Sequence, residues 1–250
     1  MKPEMTQKTT PHVTRSTTTR TTPTTAGAGP RPTAAQTLAV VRYHATLFGG
    51  SQRWLAPALV YAAALAIDSA GGDTASDAFA YSAAFLVPVG AWLTRSMLTT
   101  EPSESASMLA TLVGPARARL SALSAATGYA LACAVIGALV AGVTGSGATA
   151  STTLAGLSTE LVCVLLGTAA GAVAAPPLIP ATGWGVLLAG LLSLGVLIAR
   201  FSPADLSIRA LTAVSNGGAL HYPVYALPFA LVVTALAWAA STASATRHAV

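Results

Sequence analysis

Charge is scarce in this chain. Only 8% of its 250 residues are charged, while 53% are apolar; a soluble domain carries about a quarter charged residues. An alanine-rich soluble bundle would need a charged outer face on each helix, which these runs lack. The balance fits a polytopic membrane protein. Lysine is scarcer still, with Lys2 and Lys8 the only ones. A Walker-type loop, G-x-x-x-x-G-K-[ST], needs its lysine to reach the phosphates. Neither lysine lies in one, so no nucleotide site, cofactor or enzyme activity is expected in the chain itself. The histidines are His12, His44, His221 and His248, none in the middle of an apolar run, and G-x-S-x-G is absent. Intramembrane proteolysis would lack its nucleophile and base. Cys133 and Cys163 are the only cysteines and both lie in apolar runs. They read as small core residues, the alternative being that they face each other across neighbouring helices. No Cys/His spacing resembles a zinc site. The 13 basic residues outnumber the 8 acidic ones, but they form no patch interleaved with aromatics, so nucleic acid is not an expected partner.

What the chain does have is a series of long apolar runs. Residues 1–33 precede them, rich in Thr, Pro and Gly. Such a stretch cannot bury enough surface to offset its conformational entropy and reads as a disordered tail. It lacks the apolar h-region of a signal peptide. Over Ala34 to Phe48, Leu38, Val41, Ala45 and Phe48 share one helical face, with Arg42, His44 and Thr46 elsewhere. This predicts an interfacial amphipathic helix ended by Gly49-Gly50. Six spans then follow, over 54–68, 78–94, 122–143, 154–175, 183–199 and 223–240. Pro88 predicts a kink in the second and Pro228 an interruption in the sixth. Arg200 to Tyr222 reads as a longer polar connection. The expected fold is therefore an all-α integral membrane protein.

Basic residues set the expected orientation. With a cytoplasmic N-terminus, the inside segments hold every Lys and Arg except Arg200 and Arg209. Seven of the inside residues precede the first span, but Arg95, Arg117 and Arg119 agree independently. The expectation is N-in and C-in.

Three features are candidate sites. The first is the inside loop from Arg95 to Ser121, the only stretch among the runs where both charge signs and a helix break meet. Thr99 and Thr100 are candidate caps for a short helix with Glu101, Pro102 and Glu104 in its first turn. Met108, Leu109, Leu112 and Val113 form an apolar face, and Gly114-Pro115 stops the helix. It either rests on the bilayer or docks a cytosolic partner. The second is Glu160, the one carboxylate well inside a span, which is a proton or substrate site, a hydrogen-bonding group between helices, or a group facing a water-filled vestibule. The third is Gly167-x-x-x-Gly171, a close-packing pair that serves either a neighbouring helix or a second copy.

The layout resembles the ABC-2 permease class, the membrane subunits of type-2 ABC exporters. The likeness covers Ala34 to the C-terminus. An interfacial helix precedes the first span, and a short helix (Glu101 to Val113) lies between spans two and three. A connection starting Phe201-Ser202-Pro203 and continuing Ile208-Arg209-Ala210-Leu211 separates spans five and six. The Ala- and Thr-rich style looks actinobacterial. The resemblance implies a plasma-membrane exporter subunit that forms the translocation path. It also implies pairing with a second permease half, identical or not, and a separate ATPase carrying ATP and Mg. The ATPase would couple through Glu101, Glu104, Met108, Leu109 and Leu112. Two other readings stay open: a proton-coupled carrier using Glu160, and a membrane scaffold or immunity protein that moves no solute.

Overall fold

Glycine and proline punctuate the chain where its helices stop. The computed structural model describes residues 34–179 and 181–247. The tail expected over 1–33 lies outside these residues. Among the described residues there are helices and no strand: α1 (Ala34–Gly50), α2 (Leu55–Gly71), α3 (Ala75–Leu98), α4 (Ser103–Val113), α5 (Pro115–Thr144), α6 (Ala150–Val173), α7 (Thr182–Ile198), α8 (Pro203–Ser215) and α9 (Ala226–Arg247). Gly72, at φ 73°, caps α2 in the left-handed region that favours glycine. Gly114, at φ 87°, separates α4 from α5, whose first residue is Pro115. The Thr74 hydroxyl accepts from the Asp77 N–H to start α3, and Thr149 and Thr152 form a reciprocal capping box on α6.

Helices α5, α6 and α9 are each long and apolar enough to cross a membrane. Two further pairs qualify only as bent spans: α1 with α2 at 75°, and α7 with α8 at 48°. This is the composition of a membrane-embedded protein. Helix α3 covers the second expected span but falls outside this set, because Ser76, Asp77, Ser82, Thr94 and Arg95 dilute its apolar run. It is also, with α6, largely enclosed, with Ser82, Thr94 and Arg95 all buried. A helix surrounded by protein can turn polar groups onto its neighbours instead of onto lipid.

Several local expectations change. The polar connection over 200–222 contains a helix, α8, started by Pro203 at N1 and closed by N–H bonds from Gly217 to Val214 O (3.0 Å) and from Gly218 to Ala213 O (2.8 Å). Pro228 does not interrupt the last helix. It sits in the first turn of α9, where a missing N–H costs nothing. Thr99 and Thr100 do not cap α4: their hydroxyls bond back to the α3 carbonyls of Arg95 and Ser96, and α4 starts after Pro102 with no side-chain cap. His44 is buried on α1, not on its polar face, because α1 packs against α5. There Phe48 meets the Tyr129 ring edge-on at 5.1 Å, and the Tyr129 hydroxyl donates to Ala45 O.

The core is a seam between α3 and α6, which run parallel. Gly156 faces the Phe79 ring. A Cβ at Gly167 would sit 2.6 Å from Val87 O, and one at Gly171 would sit 2.5 Å from Ala91 O. Gly90 lies opposite, its Cβ position 3.6 Å from Gly167 Cα. The Gly167–Gly171 pair is thus spent on the chain's own core, facing α3. At one end of the seam, Ala75 N–H donates to Ser146 O and Ser146 N–H to Asp73 O, joining the α2–α3 and α5–α6 turns. At the other, Arg119 donates to Ser241 Oγ and Pro176 O, tying α5 to the α6–α7 turn and α9. The peripheral helices turn large apolar side chains outward, among them Leu59 on α2, Leu139 on α5, Leu191 on α7 and Leu236 on α9.

A leucine at Gly167 must displace backbone, so Gly167→Leu is expected to destabilise the fold by about 3 kcal/mol. Gly142→Leu on α5, where a Cβ meets nothing within 4 Å, is expected to be near neutral. Thermal unfolding of both variants in detergent checks this.

Candidate functional site

Two places gather chemistry. The first is the end of the bundle that carries α4. Gly114 sets α4 off from α5, and among the helices α4 packs chiefly against α5. Beneath it lies a cleft of about 350 Å³ lined by His44, Glu101, Ala110, Pro115, Arg119 and Pro177. The helix therefore rests on few buried contacts, the kind of segment that moves most readily. Met108 is 70% exposed and Leu112 81%, with Glu104 also exposed. Leu109 is half-buried.

Glu101 faces the other way. Its Oε1 accepts a hydrogen bond from the Tyr43 hydroxyl at 3.3 Å, and its Oε2 lies 3.9 Å from His44 Nδ1, beyond hydrogen-bonding distance. Burial pushes its carboxyl pKa up, opposed by the Tyr43 hydrogen bond. Arg53 donates from Nη1 to Thr99 O at 3.0 Å, anchoring the segment just before α4. The five residues proposed for coupling thus divide: Glu104, Met108 and Leu112 point outward, Leu109 is half-seated, and Glu101 braces α4 against α1.

No family model, curated protein or solved structure matches the chain.

The second place is Glu160, in the middle of the seam. It is 2% exposed, and its Oε1 accepts from the Ser82 hydroxyl at 2.6 Å. Both the Tyr61 hydroxyl and Glu160 Oε1 crowd the space over Gly137, where a side chain would overlap the phenol. The Tyr61 hydroxyl is buried with no hydrogen-bond partner among the described residues. Tyr61 and Cys133 line a small cavity of about 280 Å³ between α2 and α5. Cys163, one turn beyond Glu160, is buried, and both cysteines are free. Among the described residues, no cluster of His, Cys, Asp and Glu could hold a metal ion.

Ser82 and Tyr61 were not singled out from the sequence, and Tyr43 and His44 were read only as part of the interfacial helix, Tyr43 at headgroup level. Ser82 and Tyr61 had a usable signal, as polar groups inside apolar runs. Tyr43 and His44 had none, because their role depends on where α4 folds back.

Two outcomes are expected. Gln can accept the Ser82 hydrogen bond as Glu does, so Glu160→Gln should fold normally. Ser82→Ala should cost about 1 kcal/mol, the scale of hydrogen bonds between membrane helices, as read by thermal unfolding in detergent. Tyr43→Phe removes the brace on Glu101 and should raise protease cleavage within residues 99–114 while leaving the thermal midpoint nearly unchanged.

Proposed function

We propose that this chain is the membrane subunit of an ATP-driven exporter of the ABC-2 kind. In this reading six helices (α2, α3, α5, α6, α7 and α9) cross the plasma membrane, with both termini and α4 on the cytoplasmic side. Two such halves, identical or not, enclose the path, and a separate ATPase seats on α4. The observation that carries the reading is the outward pair Met108 and Leu112, one turn apart on a short helix that is loosely seated on the bundle. A carboxylate, Glu104, lies on the same exposed side. The surrounding bundle end supports the orientation: Arg53 reaches Thr99, Arg95 reaches Ala174, and Arg119 bridges Pro176 and Ser241. The opposite end carries, among the described residues, only Arg200 and Arg209 as basic residues, beside Asp68, Asp73 and Asp77. That asymmetry is the one expected of cytoplasmic and external faces.

The reading fits the missing phosphate-loop lysine. A chain with no such loop receives ATP-derived work from a partner, through a surface that a partner can grip. Apolar side chains exposed beside polar ones at an aqueous end mark an interaction site. Were α4 merely lying on the bilayer, the same two side chains would dip into the headgroup region and no ATPase would depend on them.

A second reading, a proton-coupled carrier, has one observation in its favour: the partnerless Tyr61 hydroxyl close to Glu160. It requires uptake in proteoliposomes containing no ATPase, lost in Glu160→Gln. A lack of uptake by the unmodified protein removes it.

For the exporter reading, the double variant Met108→Asp, Leu112→Asp is expected to lower co-purification of the ATPase at least about tenfold. The membrane protein itself should stay monodisperse. Unchanged ATPase association and unchanged export in that variant would sink the coupling role.

A further inference from the structure

The groups behind α4 leave one contact unmade. Glu101 Oε2 and His44 Nδ1 face each other 3.9 Å apart, about 1 Å too far for a hydrogen bond. Both are enclosed: His44 is 4% exposed, and the Glu101 side chain is 13% exposed. Glu101 Oε1 already accepts from the Tyr43 hydroxyl, so Oε2 is the oxygen turned to the imidazole.

The proton on the imidazole accounts for the gap. His44 Nε2 is buried and makes no hydrogen bond of ordinary geometry, while Ala118 O on α5 lies beside the ring and favours a proton on it. With Nδ1 turned to Glu101, that carbonyl favours the Nε2–H tautomer. Nδ1 then presents a lone pair to a carboxylate, acceptor against acceptor, and the two stay apart. One proton removes the conflict. Placed on Oε2, it is donated to Nδ1, and Oε1 still accepts from Tyr43. Burial pushes the Glu101 carboxyl up, opposed by the Tyr43 hydrogen bond. Burial also holds His44 below the usual histidine value, opposed by Ala118 O. Both shifts favour a neutral pair. The other ionisable side chain lining the cleft, among the described residues, is Arg119 of α5. Its Nε and Nη2 are given to Ser241 and Pro176. Arg42 on α1 and Glu104 on α4 are exposed.

We propose that Glu101 is a proton-operated latch: a proton shared with His44 clamps the start of α4 onto α1, and its loss releases the helix. Closing needs about 1 Å of travel, which the fold permits. A cleft of about 350 Å³ lies beneath α4, and Gly114, at φ 87°, is a pivot at its far end. When α4 lifts, the Glu101 carboxyl returns to water and to its usual value. The closed form, with its raised value, therefore holds the proton more tightly. The latch is complete below the usual carboxyl range and is lost as pH rises through the raised value of the buried group. The assignment does not depend on the exporter reading, because the contacts are all within the chain.

The test follows the full-length protein in neutral detergent by hydrogen–deuterium exchange across Ser103–Val113, corrected for the pH dependence of the intrinsic rate. Protection at about pH 5 should exceed that at about pH 8 by about fivefold, the worth of one hydrogen bond. Glu101→Gln, whose amide donates to Nδ1 at any pH, should keep the acid-side protection throughout. His44→Phe, which keeps the bulk and removes the acceptor, should abolish the pH dependence. Asp73→Asn, at an exposed carboxylate before α3, should leave it intact. A flat profile in the unmodified protein overturns the proposal, as does protection that rises toward high pH. A pH dependence that persists in Glu101→Gln or in a folded His44→Phe overturns it too. Should His44→Phe misfold, the Glu101→Gln comparison decides, since Glu101 lies between helices.

Discussion

The structure depends on one close approach of backbone to backbone. Along α3 and α6 the residues that meet are Gly90 with Gly167, Val87 O with Gly167, and Ala91 O with Gly171. No side chain separates the two helices at these points. In a membrane, where lipid solvates apolar groups as well as protein does, association must come from packing and interhelical hydrogen bonds. Glycine here supplies the first and Ser82–Glu160 the second. Everything else follows from the proximity they create. Arg95 can reach Ala174 O only because the ends of α3 and α6 are side by side. Ser82 and Thr94 can be buried because α6 covers them. Phe79 can fill the space over Gly156 because nothing larger stands there.

The same proximity explains which features were legible in the sequence. Apolar runs of sufficient length predicted helices, and helices formed there, although Pro115 starts α5 ahead of the expected Ala122. Gly114-Pro115 predicted the end of α4 because a left-handed glycine and a proline ring act locally. What needed a partner was not legible. Glu101 and Glu104 look equivalent in sequence, yet Glu101 turns to Tyr43 on α1 while Glu104 is exposed. His44 shares the helix with Arg42, but only the former meets α5's end of the bundle and is buried. Helix α8 was hidden because its stretch is polar by average composition. Its apolar residues, Ala204, Ala210 and Leu211, face inward while Arg209 pairs with Asp205 on the same helix.

The two ends of the bundle are built differently. One is closed by short backbone bonds between the turns before α3 and α6. The other is held by arginine side chains spanning several helices: Arg119 alone contacts the α6–α7 turn and α9. Long side chains can exchange partners without any helix changing its backbone bonds, whereas a paired turn cannot. The end that carries α4 is thus held by side chains and not by paired turns, and the loosely seated α4 lies over a cleft there.

Parallel packing of α3 and α6 has a consequence for how the chain assembles. Ser82 and Glu160 are separated by 78 residues, and two helices running the same way cannot meet through a tight turn. During synthesis α3 is complete long before α6 exists, and its serine, threonine and arginine must wait for their cover. The intervening helices α4 and α5, and α6 itself, have to be made before the seam can close. Biogenesis of this chain therefore has a late step, the docking of α6 against α3.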